Sequence, residues 1–222
     1  MTKMPSYFRD CRTTLHKASY DSDQKEYMCD SPMQIFNFDG LKKWYVKNHM
    51  SKQAPKPCSN DALWLDVDHA VFIEFKNGQI DEKENNKIIF KVYDSLLMLF
   101  DDKFDLSYCH ADFKQNISYT RAHMDYILVY NADKYDEEHH TPQTEKGLKR
   151  QGVQFPKLEE NSKRQNPQNS KSRTAIYKAV RALGKRNFIL FGLDRFKGYL
   201  FRQVYTMNQS EFEQYLQEQG VT

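Results

Sequence analysis

The chain has 222 residues, 39% hydrophobic and 28% charged, enough to bury one sizeable core. No stretch approaches the roughly 18 uninterrupted apolar residues of a spanning helix, and the opening Met1 to Asp10 lacks the apolar core of a secretory signal, so neither a membrane span nor export is expected. The formal net charge of +3 is unevenly spread: twelve Lys and Arg against Glu159 and Glu160 between Lys146 and Arg186 give that stretch +10 and leave −7 for the rest.

An acidic body joined to a basic stretch suits a polyanionic partner; a solvated loop is the plainer reading of the same composition. Four widely spaced cysteines without a C-x-x-C fit reduced thiols in a cytoplasm rather than a zinc ribbon or a disulfide framework. Residues 1 to 60 mix polar and aromatic types with few clean periods. Leu41 to His49, opened by Asp39-Gly40, reads as a short helix with Leu41, Trp44 and Tyr45 inward, and Gln53 to Asn60 with its two prolines as a loop. Asp61 to Leu65 and Ala70 to Lys76 are apolar, β-prone runs joined by Asp66 to His69 and closed by Asn77-Gly78, which predicts a β-hairpin.

Gly78 to Asn86 is polar, and Lys87 to Phe100 then repeats Ile88, Ile89, Val92, Leu96, Leu99 and Phe100 at helical spacing. Tyr126 to Tyr130 reads as a buried strand, Asn131 to His140 as a charged loop, and 141–173, rich in Gln, Asn, Ser, Lys and Pro, as a mobile basic loop. Thr174 to Leu183 can form a helix ending at Gly184. Phe188 to Leu193 and Tyr199 to Tyr205 predict a second hairpin, and Ser210-x-x-Glu213 a capping box opening a last helix. No repeat is visible. The order predicts an α/β or α+β fold in one elaborated domain, 1–222, with a mixed sheet and central hairpin flanked by helices, a core at about 35–130, and 174–222 completing it as helix, hairpin, helix.

Pairing the first hairpin symmetrically about Val67 and Asp68 sets Asp61 opposite Glu74. Alternation then puts Asp61, Leu63 and Leu65 on one face with Ala70, Phe72, Glu74 and Lys76, and Trp64, Val71, Ile73 and Phe75 on the other. Two carboxylates and a lysine converge at one end of an apolar hairpin. Opposed Cβ atoms lie about 5 Å apart, so both carboxylates can reach one divalent ion. Like charges held this close call for a cation, and Mg²⁺ or Mn²⁺ prefers oxygen ligands and serves phosphate chemistry.

At these residues the sequence resembles the PD-(D/E)XK nuclease superfamily, whose signature is an Asp at a strand start, a short hairpin, and Glu-x-Lys on the next strand, followed by a helix. The resemblance spans about residues 60 to 100 and implies a restriction-endonuclease-like fold with Asp61, Glu74 and the Phe75 carbonyl as metal ligands. It further implies that Lys76 assists the attacking water and that the substrate is a nucleic acid, DNA favoured over RNA, in restriction, repair or anti-phage defence. Members often add a polar residue from the following helix, a position open to Lys87 or Lys91. The chain departs from the pattern in having Asn60 where the literal Pro would stand, and Glu26, the sole glutamate before Asp61, lies in no clear helix. Lys163, Arg164, Lys171, Arg173, Lys178, Arg181, Lys185 and Arg186 are candidate phosphate contacts, and cutting both strands would suit a homodimer.

Asp81-x-Lys83 and Asp101-x-Lys103 repeat the bare pattern without the hairpin. The D-x-D of Asp66 and Asp68 and the pair His139 and His140 are better explained as turn and loop residues than as metal or phosphate sites, and Cys109-His110 is too isolated for a ligand pair or nucleophile. The alternative from a different class is a non-catalytic nucleic-acid- or protein-binding module on the same fold.

Overall fold

The computed structural model describes residues 4–67, 69–134 and 189–221. Its main sheet has six strands in the order β1 (Arg12–Thr14), β4 (Gln34–Asn37), β5 (Ala62–Leu65), β6 (Ala70–Lys76), β7 (Met124–Tyr130) and β8 (Gln203–Asn208). β2 (Tyr20–Asp21) and β3 (Glu26–Tyr27) form a separate two-stranded ribbon. Pairing is antiparallel from β1 to β6 and parallel from β6 through β8, so the sheet is mixed and the β5–β6 hairpin is central.

The faces follow from side-chain alternation. Leu63, Ala70, Phe72, Tyr126 and Leu128 turn to one side, where helix α3 (Phe38–His49) contributes Phe38 and Leu41 and helix α4 (Glu82–Phe100) contributes Ile88, Val92, Leu96 and Leu99. Trp64, Val71, Ile73, Phe75, Ile127 and Val129 turn to the other, meeting Leu15 of α2 (Leu15–Ala18) and Phe212, Tyr215 and Leu216 of the C-terminal helix, Gln209–Glu218. That helix is α6 here, after α1 (Ser6–Asp10) and α5 (Ile117–His123). A strand row that alternates between two apolar layers can keep only its ends for polar chemistry. Asp61, Glu74 and Lys76 stand at such an end.

The register of the first hairpin is the expected one, Leu63 opposite Phe72 and Leu65 opposite Ala70. Several other expectations are corrected. Residues 1 to 60 hold β1 and β4, strands of three and four residues too short to show a period. Helix α4 begins at Glu82 rather than Lys87 because the Asp81 side chain accepts the Glu84 N–H and caps it. Asp101 ends the same helix, so both decoy aspartates are helix caps.

The second hairpin does not form over the described residues. Phe191, Gly192 and Gly198 take positive φ (61°, 67° and 70°), Leu193–Phe196 winds into a 3-10 turn, and β8 begins only at Gln203, parallel to β7. Its start is fixed by Asp125, which accepts Arg202 through two hydrogen bonds of 2.9 and 2.7 Å and the Gln203 N–H at 3.1 Å.

The last helix opens at Asn208, not Ser210: Asn208 Oδ1 accepts the Glu211 N–H and Glu211 accepts the Asn208 N–H, a reciprocal box displaced by two residues. Asn208→Ala is expected to cost about 1 kcal/mol, read as a lower urea midpoint at unchanged slope. All four cysteines are free. Phe90, Tyr93 and Leu97 stand exposed along one side of α4, a stripe hidden from sequence reading by the stronger core-facing period. Among the described residues, no helix is long and apolar enough to cross a membrane. The expected helix at 174–183, His139 and His140, and the basic residues from Lys146 to Arg186 lie outside the described residues.

Candidate active site

The site is assembled at the junction of β5, β6 and α4. Asp61 immediately precedes β5, and its position is set by main-chain bonds on both sides: its carbonyl accepts the Phe38 N–H (3.0 Å) and its Oδ2 accepts the Phe75 N–H (2.7 Å). Continuing the hairpin register by one step puts it opposite Glu74. Glu74 is fully buried, on the face that packs against α4. Phe75 between Glu74 and Lys76 turns its ring to the opposite face, edge-on to Phe212 at 5.9 Å.

Two lysines from two elements face this pair, a third stands beside them, and they are not equivalent. Lys91 Nζ bridges the carboxylates, 2.6 Å from Glu74 Oε1 and 3.2 Å from Asp61 Oδ1. Lys76 Nζ is 3.6 Å from the same Glu74 oxygen and 3.3 Å from Glu84 Oε2, so it stands beside the pair rather than between its members. Lys87 does not reach the carboxylates; it pairs with Glu84, one turn back along α4. Of the two helix positions open to an accessory residue, the structure brings Lys91 to the site and leaves Lys87 on its rim.

Burial, then the neighbouring Asp61 charge, push the Glu74 carboxyl up to about 7, with Lys91 and Lys76 acting in the other direction. Burial opposes the Lys91 charge, but Glu74 and Asp61 outweigh it and raise the ammonium above the ordinary lysine range. Hydrogen bonding from Lys87 is the leading cause holding Glu84 below the usual carboxylate range. The cluster therefore favours the charged form of Lys91 while leaving Glu74 short of compensation.

Glu26 does not complete the site. Its carboxylate accepts Asn77 Nδ2 (3.0 Å) and Lys134 Nζ (2.8 Å), and Asn131 Nδ2 donates to Asn77 Oδ1 (2.8 Å). That network ties the β2–β3 ribbon to the ends of β6 and β7. Glu84 and Tyr126 are participants that sequence reading missed. Glu84 was signalled by Asp81-x-x-Glu84, a helix-start pattern. Tyr126 is fully buried opposite Phe72, diagonal to Glu74 on the same face, and its hydroxyl has no hydrogen-bond partner among the described residues.

Glu74 Oε2 is likewise buried without a partner there. A carboxylate oxygen is rarely left so, and water or an ion is the usual completion. The donor set of Asp61 and Glu74 is all oxygen, as hard divalent cations require, so these residues fit Mg²⁺ or Mn²⁺. Among the described residues, no group of three or more His, Cys, Asp or Glu side chains forms a ready-made metal cluster. No family model, curated protein or solved structure matches the chain. Fold and site together define a mixed α/β protein with a carboxylate and lysine cluster at one end of its central hairpin.

Proposed function

We propose that the protein is a metal-dependent nuclease of the PD-(D/E)XK type, hydrolysing phosphodiester bonds of nucleic acid, with DNA favoured over RNA on the strength of the resemblance. The observation that carries the reading is the meeting of Asp61 and Glu74 at facing positions, with Glu74 Oε2 unpartnered and Lys76 on the same face.

Asp61 and Glu74 would hold Mg²⁺ or Mn²⁺, which when bound would supply positive charge against a phosphodiester and acidify water. The chain's own groups do the rest. Asp61, whose Oδ2 accepts the Phe75 N–H, and Glu74, buried on the facing strand, present their carboxylates side by side. Lys76 orients the attacking water and offsets charge developing on the phosphate, and Glu84 at 3.3 Å fixes the direction of its side chain. The twelve basic residues from Lys146 to Arg186 add salt-sensitive, sequence-independent attraction to the backbone of the substrate.

A second reading has its own support. Lys91 already bridges both carboxylates, so a non-catalytic nucleic-acid- or protein-binding module could keep the cluster as a permanent ion network. Melting with and without Mn²⁺ separates the two. An ion bound only by the folded protein stabilises by about 2.7 kcal/mol at 100 times its Kd, a rise of roughly 5 to 10 °C for a chain of this size. That rise is expected in wild type and absent in Glu74→Ala; a wild type indifferent to Mn²⁺ favours the binding module.

A further inference from the structure

Resting on the metal-site reading above, we propose that Lys91 is an internal counter-ion occupying the position between Asp61 and Glu74 that the divalent cation takes, so that the ion enters by exchange against the Lys91 ammonium. One Nζ 3.2 Å from Asp61 Oδ1 and 2.6 Å from Glu74 Oε1 lies between the two carboxylates, on the facing oxygens through which they would share an ion, while Glu74 Oε2 stays open beside it. An ammonium and a divalent cation do not fit together between Asp61 Oδ1 and Glu74 Oε1, because two cations at that range repel each other. Lys76, by contrast, touches Glu74 from the side at 3.6 Å and has Glu84 to hold it, so it can stay when the ion arrives.

The fold also gives Lys91 somewhere to go. Its side chain is 21% exposed while that of Glu74 is fully enclosed, so of the two partners only the lysine reaches the surface. A long flexible stem with a compact head suits such a movement. Asp39, at the first turn of α3, lies within the reach of the Lys91 charge. Its carboxyl is held below the usual range in spite of burial, by Lys42 and Ser59 and at longer range by Lys91. The exchange replaces the partial compensation that the ammonium gives the carboxylate pair with the fuller compensation of the metal. It also sets the apparent metal affinity below that of two bare carboxylates, a threshold built from this chain's own residue.

The test uses Mn²⁺ alone on the full chain, in two measurements. Calorimetric titration of wild type, Lys91→Met and Glu74→Gln is expected to show Lys91→Met binding Mn²⁺ at least about tenfold more tightly than wild type, since the competing charge is gone. Acylation of amines followed by mass spectrometry on wild type, with exposed Lys103 as internal reference, is expected to show Lys91 modified several-fold faster once Mn²⁺ is added. The second measurement stands even if Lys91→Met does not fold. Mn²⁺ binding that depends on Glu74, with Lys91 labelling unchanged or reduced by the metal, overturns the exchange and leaves the metal site intact. Absence of Mn²⁺ binding in wild type and Lys91→Met alike overturns both the exchange and the metal-site reading.

Discussion

Lys76→Ala is expected to lower kcat for metal-dependent phosphodiester cleavage by about 10²- to 10⁴-fold, the range for removal of a positioned proton-transfer or charge-stabilising group. Mn²⁺ affinity should change little, because Lys76 stands 3.6 Å to the side of Glu74 and does not bridge the carboxylates. This separation of rate from metal binding distinguishes Lys76 from Glu74, whose loss should abolish both. Glu84→Gln should fall between wild type and Lys76→Ala: the ammonium remains, but its 3.3 Å anchor is weakened. Single-turnover cleavage alongside Mn²⁺ titration checks the split. A Lys76→Ala protein that cleaves at the wild-type rate would remove Lys76 from the chemistry.

Glu74→Gln should change how stability depends on pH in metal-free buffer. Burial first, and Asp61 second, raise the folded-state carboxyl to about 7, above its ordinary value. A group with a raised folded pKa stabilises the fold fully below its unfolded pKa, and that contribution is lost as pH rises through the folded value. Wild type should therefore lose stability relative to Glu74→Gln between roughly pH 4.5 and 7.5, by on the order of 3 kcal/mol. Glu26, Glu84 and Asp39 are shifted the opposite way and titrate in both proteins, so the difference between the two curves isolates Glu74. Saturating Mn²⁺ should erase the loss in wild type, since the ion compensates the buried carboxylate. Parallel pH curves for the two proteins would show that Glu74 is adequately neutralised by Lys91 and Lys76.

The part of the site that depends on local alternation was legible in the sequence. Ala62 to Leu65 and Ala70 to Phe75 are apolar on both faces, so the register followed from pairing the two runs symmetrically about Val67 and Asp68, which opposes Asp61 and Glu74. Lys91 was named as a candidate, with Lys87, because the resemblance implies a polar residue on the following helix, but its bridging geometry depends on the angle at which the helix crosses the sheet. The start of α4 was missed because its first turn is entirely polar and offers no apolar period, although Asp81 and Glu84 already marked the cap.

Nonlocal pairing hid the remainder. β8 pairs with β7 across a gap of more than 70 residues, so the apolar run ending at Tyr205 looked like the return strand of a hairpin with Phe188 to Leu193. The backbone turns at Phe191, Gly192 and Gly198 prevent that pairing. Tyr126 was legible as buried, but its place diagonal to Glu74 follows only from the parallel register of β6 with β7. β1 and β4 are too short to leave a trace in sequence, yet β4 flanks the hairpin and leads into α3, whose first residue, Phe38, bonds to the Asp61 carbonyl.

The most direct test of the nuclease reading is incubation of purified wild type with plasmid, linear and single-stranded DNA and with RNA, in Mg²⁺, in Mn²⁺ and in EDTA, beside Lys76→Ala prepared identically. The account predicts cleavage that requires the metal, disappears in EDTA and is lost in Lys76→Ala, with the DNA substrates cut in preference to RNA. Intact substrates under every condition, with salt-sensitive binding to nucleic acid retained, would contradict the enzyme and leave the carboxylate and lysine cluster as the ion network of a binding module.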